Sequence, residues 1–189
     1  GEVMLTSPEL RSGSDRVAAV AREIDANIIM SIQGDEPLIA PEMIDQAVEP
    51  LIQDSTIQVG TLVRKIETAD ELLNPNIVKV VLDDKNFALY FSRSPIPYLR
   101  ESATMDEWHK RHQYYKHIGL YVFRKDFLLE YSSWQESSLE QAEKLEQLRI
   151  LEHGYRIKTA VTEYDSIPID TAEDAERVRK ILLQSEKKL

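Results

Sequence analysis

Cysteine is absent from the 189 residues, which excludes disulfides and thiolate metal sites and is compatible with the cytosol. Long apolar runs are missing too: no stretch approaches the roughly 18 residues that a transmembrane helix needs. The opening Gly1-Glu2-Val3-Met4-Leu5 is neither a basic leader nor an initiator methionine, so no targeting segment is expected. Basic charge is scarce, with 23 Lys+Arg against 33 Asp+Glu and a net charge of −10. An average surface of that sign repels a polyanion, and no basic patch offsets it, so nucleic acid is not an expected partner. Small anionic nucleotides remain possible ligands, because metal ions bridge carboxylates to phosphates. What is present, 42% hydrophobic and 30% charged residues, suits one folded domain spanning 1–189, without repeats, low-complexity tracts or linkers.

The apolar pattern alternates between helical and extended periods. Ser14 and Asp15 can cap a helix whose inner face is Val17, Val20, Ala21 and Ile24. Asn27 to Ile32 is nearly continuous in apolar residues, as in a strand covered on both faces of a parallel sheet. Pro41 opens a helix with Ile44, Ala47, Val48 and Leu51 on one side. Ile57, Val59, Thr61 and Val63 alternate as a strand, and residues 78–91 read as a hairpin around Asp83-Asp84-Lys85-Asn86. Residues from about 86 to 117 include a polar, aromatic excursion without a period. Strands at 118–123 and 157–161, helices at 125–131 and 138–152, and a last helix from Thr171 complete the order. Strands alternating with helices predict an α/β fold, with a mixed, mostly parallel sheet and flanking helices.

Two strand ends carry acids. Asp35 and Glu36 follow the most apolar strand, with Gly34 allowing a sharp turn and Pro37 stiffening the exit. Asp170 follows Ile167-Pro168-Ile169 and precedes a helix in which Thr171 and Asp174 form a capping box. Beyond the carboxyl ends of strands is where open α/β sheets bind ligands, and one or two rigidly held carboxylates suit magnesium. The alternative is local: Asp35 forms a turn and Asp170 caps a helix. His109 and His112 have a metal-like spacing but no further ligands, and read as part of a solvated loop.

Gln33-Gly34-Asp35-Glu36-Pro37 and Asn74-Pro75-Asn76-Ile77-Val78-Lys79-Val80-Val81, taken together, resemble the 3-deoxy-manno-octulosonate (Kdo) cytidylyltransferases. Ala88-Leu89-Tyr90-Phe91-Ser92-Arg93, His117-Ile118-Gly119-Leu120-Tyr121, Leu145-Glu146-Gln147-Leu148-Arg149 and Asp170-Thr171-Ala172-Glu173-Asp174 continue the likeness in the same order. The resemblance implies a nucleotidyltransferase fold of the glycosyltransferase-A type, a cytoplasmic homodimer, and transfer of CMP from CTP to Kdo with release of pyrophosphate for lipopolysaccharide synthesis. It implies that Asp35 and Asp170 are the catalytic, magnesium-binding carboxylates. Gln33, Arg100, His117, Tyr121, Glu146 and Gln147 would line the sugar pocket with Arg93 in support, and Ser12, Gly13, Ser14 and Arg16 would lie beside the nucleotide. The excursion at about 86–117 would contribute to the sugar pocket and to the dimer contact. Family members open with a strand and a basic, glycine-containing triphosphate loop. The sequence contains no such loop, so the expectation is a fold without those N-terminal strands.

The chemistry is consistent with these residue types. Charge builds on phosphate oxygens during nucleotidyl transfer, so metal and cations should dominate, without a separate side-chain base. The sugar is a carboxylate, which the planar fork of Arg100 would match; the other reading of Arg100 is a surface ion pair. His117 and Tyr121, four apart on a strand, share a face with Gly119 between them, or else are half-buried core residues. Glu146 and Gln147 flank the apolar face of a helix, where a solvated surface is the ordinary reading. A cytidylyltransferase for another acidic sugar such as a sialic acid, and a non-catalytic binding or oligomerisation module, are the competing functions.

Overall fold

The computed structural model describes residues 2–10, 12–101, 104–166, 169 and 171–186. Helix α1 (Gly13–Ala21) leads to β1 (Ile28–Ile32), α2 (Pro41–Gln53), β2 (Val59–Lys65), α3 (Ala69–Leu73) and the hairpin β3 (Lys79–Leu82) and β4 (Ala88–Ser92). A 3₁₀ turn (Met105–Glu107) and α4 (Trp108–Arg111) occupy the excursion. Then come β5 (Tyr115–Arg124), α5 (Lys125–Tyr131), α6 (Ser138–Glu143), α7 (Gln147–Glu152), β6 (Ile157–Val161) and α8 (Ala172–Glu186).

All six strands join one mixed sheet in the order β4-β3-β5-β2-β6, with β1 also paired to β5. The mixed sheet and flanking helices agree with expectation; the mostly parallel character does not. Among the described residues only β2 and β6 pair parallel, and β1–β5, β2–β5, β3–β4 and β3–β5 are antiparallel. Apolar continuity reports burial on both faces of a strand, not its direction, and direction is set by the connections.

Alternation along β5 explains the two layers of core. Ile118, Leu120 and Val122 face α2, packing with Met43, Ala47, Leu51 and Leu62. Tyr121 and Phe123 face the other way, toward Ala18, Ala21, Phe127, Tyr131 and Leu148. Fully burying a side chain of this size contributes about 1.5–3 kcal/mol, so these two clusters dominate the fold. A third, smaller cluster of Ile66, Leu72, Trp108 and Tyr114 anchors the excursion.

One edge of β5 is shared by two strands, and this creates the opening that matters. β1 pairs from Ile28↔Arg124 to Ile32↔Leu120, whereas β3 pairs only at Lys79↔Lys116 and Val80↔Tyr115. Between them, at His117 to Gly119, the edge is split. The Gln33–Pro37 turn leaves β1 at this split, and the Asn74–Val78 segment enters β3 there, with the His117 N–H donating to the Val78 carbonyl at 2.8 Å.

The helix expected over 138–152 is two helices. Lys144 adopts the left-handed conformation (φ 54°), which costs a side-chain-bearing residue about 1–2 kcal/mol. At the other end of the chain, Ser12 rather than Ser14 or Asp15 caps α1, its hydroxyl accepting from the Asp15 N–H at 3.1 Å. The expected capping box of α8 is present: Asp174 accepts from the Thr171 N–H at 3.0 Å and its own N–H donates back to the Thr171 hydroxyl.

Candidate active site

At the split lies a cavity of about 270 Å³ lined by Gln33, Asp35, Glu36, Asn76, Val78, Arg93, His117, Gly119, Tyr121, Lys144, Leu145, Glu146 and Gln147. Seven of the residues expected in a sugar and metal site therefore converge from β1, β4, β5 and the α6–α7 break. Gly119 supplies a bare patch: a Cβ there would stand 3.4 Å from Glu36 Oε1 and 3.7 Å from Gln33 Nε2. Gly34 is different. It lies outside the left-handed region and a Cβ would meet nothing within 4 Å, so the turn does not require its conformational freedom.

A second cavity adjoins the first, sharing Gln33, Asp35 and Glu146 and adding Gly13, Ser14, Arg16 and Val17. Asp35 stands between the two. Its Oδ1 is buried without a hydrogen-bond partner, a costly state for a carboxylate oxygen unless a ligand or cation satisfies it. The donor set fits magnesium, which takes one or two carboxylates and completes its shell with water and phosphate. Asp170 lies outside the described residues.

The break at Lys144 is what turns Glu146 and Gln147 from a solvated helix face into cavity wall, and Gln147 is only 3% exposed. Glu146 is held from three sides. Ser14 donates to its Oε1 at 3.1 Å, Tyr131 donates to its carbonyl at 3.0 Å, and buried Arg149, paired with Glu140 at 2.7 Å, approaches from α7. Burial raises the Glu146 carboxyl above the usual range, with the Ser14 hydrogen bond opposing. Burial, and then the charge of Glu146, push the Tyr121 hydroxyl well above its ordinary value, keeping it a hydrogen-bond donor. Burial lowers His117 to about 3, so its ring is neutral.

Residues 1–159 match the cytidylyltransferase family model. A 3-deoxy-manno-octulosonate cytidylyltransferase from Geotalea uraniireducens (strain Rf4) is 49% identical over 187 residues, covering 94% of this chain and 72% of the relative. Another from Solibacter usitatus (strain Ellin6076) is 49% identical over 183 residues, covering 97% and 70%. The chain belongs to the 3-deoxy-manno-octulosonate cytidylyltransferases. A solved CMP:2-keto-3-deoxy-manno-octonic acid synthetase complexed with CTP superposes with a TM-score of 0.89 at 38% identity, covering 98% of this chain and 73% of that one.

Within this cytidylyltransferase the arginines divide. Arg93 braces the cavity rather than offering a free fork. Its guanidinium donates to the carbonyls of Glu143 (2.8 Å), Pro75 (3.1 Å) and Lys144 (3.5 Å), tying the Asn74–Val78 wall to the left-handed break. Arg100 is exposed and does not line the cavity. Arg16 lines the second cavity, but its guanidinium is engaged by Thr6, Ser7 and Leu10 at 2.9–3.2 Å. Ser12 is the helix cap, which leaves Ser14 for Glu146.

Residue patterns alone did not mark several supports of the cytidylyltransferase cavity. Glu143 accepts from the Ser92 hydroxyl at 2.6 Å and the Arg93 N–H at 2.9 Å. Lys79, wholly buried, donates to the Asn74 and Ile77 carbonyls at 2.8 and 2.6 Å; burial lowers it to about 8. Ser166 bonds the Glu36 carboxylate, strapping Ser166 and Ile169, whose N–H donates to the Asp35 carbonyl at 2.9 Å, over the turn after β1. A charged residue in an apolar strand, as Lys79 is, was the one available signal. Among the described residues no helix is long and apolar enough to cross a membrane.

Proposed function

We infer that the protein transfers CMP from CTP to the anomeric hydroxyl of Kdo, releasing pyrophosphate. The observation that carries this reading is the pair of adjoining cavities with Asp35 at their common wall. One, reached by Ser14 and Gly13, suits the nucleotide; the other, with Gln33, His117, Tyr121, Glu146 and Gln147, suits a polyhydroxylated acid. The neutral His117, the protonated Tyr121 and the Glu146 carboxyl supply both donors and acceptors, as sugar hydroxyls require. Arg93, Glu143 and Lys79 act behind the wall by holding its two segments in register, which is where orientation of the reacting groups comes from.

Asp35 would hold magnesium, together with Asp170, which follows Ile169 directly in the chain. Magnesium when bound would neutralise charge on the triphosphate. Support comes from the unpartnered Asp35 Oδ1 and from the bond of the Ile169 N–H to the Asp35 carbonyl at 2.9 Å. We further read the protein as a cytoplasmic homodimer serving lipopolysaccharide synthesis. The excursion after β4 would take part in the dimer contact, consistent with Tyr98 and Met105 being 72% and 46% exposed there.

The test is pyrophosphate release from CTP and magnesium with Kdo or N-acetylneuraminate as acceptor, alongside calorimetric binding of each sugar to the chain. Binding and turnover of Kdo alone are expected. Preference for N-acetylneuraminate, or no binding of Kdo, would overturn the reading.

A further inference from the structure

Thr61 lies mid-strand in β2, 1% exposed, at the point where the β2–β5 register breaks. Thr61 pairs with Tyr121, but the next residue, Leu62, pairs with Ile118. Two residues of β5, Gly119 and Leu120, are therefore left without partners on β2, although Leu120 still pairs with Ile32 of β1, a bulge of the kind that re-aims side chains beside ligand sites. Gly119 and His117, on either side of Ile118, both line the cavity.

The Thr61 hydroxyl fills this irregularity with three close neighbours. The Leu120 carbonyl is 2.7 Å away, the Ile118 carbonyl 3.3 Å, and His117 Nε2 2.9 Å. A hydroxyl has one proton and two lone pairs. Carbonyls only accept, and a buried carbonyl left without a donor costs about 1–3 kcal/mol. The proton of Thr61 is thus committed to Leu120, and His117 Nε2 must donate to Thr61. In a neutral imidazole the other nitrogen, Nδ1, then carries a lone pair. Nδ1 has no hydrogen-bond partner among the described residues. The ring itself is wedged between Phe91, edge-on at 5.3 Å, and Tyr121 at 5.2 Å, so it cannot readily turn over to exchange its nitrogens.

We propose that Thr61 is a positioning residue that locks His117 as the Nε2–H tautomer, making Nδ1 an obligate acceptor for a hydroxyl of the sugar. This rests on the sugar-site reading above and sharpens it. Nδ1 repels a carboxylate oxygen, which is also an acceptor, so the acid group of the sugar lies away from His117 and a neutral hydroxyl lies against it. Position along β5 thus becomes a specificity element, selecting a donor at one point of an acidic polyol.

The experiment is nitrogen NMR on the full chain with labelled histidine, near neutral pH, without and with Kdo, together with calorimetry of Kdo and of CTP. In the wild-type chain His117 should show a lone-pair Nδ1 and a protonated Nε2, and Kdo should shift the Nδ1 resonance. Thr61→Val should admit the Nδ1–H tautomer and weaken Kdo binding roughly tenfold, leaving CTP binding unchanged; Thr61→Ser should restore both. An Nδ1–H or doubly protonated His117 in the wild-type chain would overturn the proposal. So would a Thr61→Val variant with altered tautomer and unaltered Kdo binding. Should Thr61→Val fail to fold, the wild-type tautomer and the Thr61→Ser variant still decide. Absence of any Kdo binding to the wild-type chain would sink the sugar-site reading itself, whereas the tautomer, measured without sugar, tests Thr61 independently.

Discussion

The backbone N–H of Ile169 donates to the carbonyl oxygen of Asp35 at 2.9 Å, joining two points of the chain that the sequence separates by most of the fold. Three further contacts hold the same strap: Asp165 pairs with Lys116 at 2.9 Å and with Arg64 at 3.2 Å, and Ser166 bonds Glu36. The strap leads to the capped start of α8 at Thr171, so its anchoring at Ser166 and Ile169 ties the start of that helix to the turn after β1.

Asp165→Asn should therefore separate stability from metal binding. Asp165 is half exposed, and exposed ion pairs contribute about 1 kcal/mol or less, so the thermal midpoint should barely move. The magnesium concentration giving half-maximal pyrophosphate release should rise roughly threefold, which is under 1 kcal/mol. An unchanged magnesium requirement would mean that Asp165 has no part in holding the strap for function.

Asp35→Asn should lower turnover by at least a hundredfold, roughly the effect of removing one preorganised charge-stabilising group. The buried Oδ1 has no protein partner to lose, so a melting curve should show no destabilisation. A large loss of stability would instead mark Asp35 as a structural turn residue.

The buried pair of Arg149 and Glu140, 5% and 7% exposed, links α7 to α6 across the break. Arg149→Met strands a buried carboxylate and should destabilise by about 3–5 kcal/mol. Changing Glu140 to Gln in the same chain should recover part of that loss, because the uncompensated charge is gone. Urea denaturation of the single and double variants measures both effects; additive losses would contradict the pairing.

Acid stability should report His117. Its folded value of about 3 is below the ordinary histidine value near 6.5. Between those limits the unfolded chain binds a proton that the folded chain does not, so stability is fully present above about 6.5 and is lost as pH falls toward about 3. The contribution at stake is on the order of a few kcal/mol. His117→Asn should flatten this part of the pH–stability curve relative to the wild type, leaving the slope due to carboxylates. Parallel curves for the two chains would show that His117 is not held neutral by burial.

Much was legible along the chain because it is local. The Pro41 start of α2, the hairpin turn with Asp83 accepting from the Phe87 N–H at 2.8 Å, and the Thr171–Asp174 box each involve residues a few positions apart. The shared face of His117 and Tyr121 follows from the two-residue period of a strand, and their rings stand 5.2 Å apart. Harder features involve distant partners. The capping role passed from Ser14 to Ser12 because Ser14 meets Glu146 across the molecule. The break at Lys144 is braced by Arg93, and no periodicity in 138–152 announces it.

By itself the amino-acid order determined the period of each element, the apolar faces, the acids at the strand ends and the family pattern, since all of these are properties of neighbours along the chain. Tertiary structure alone decided strand direction, the split edge of β5, the engagement of Arg16 and Arg93 by backbone carbonyls, and the solitary Asp35 oxygen. Those depend on which surfaces meet after the chain has folded, and burial, hydrogen-bond competition and desolvation arise only from that meeting.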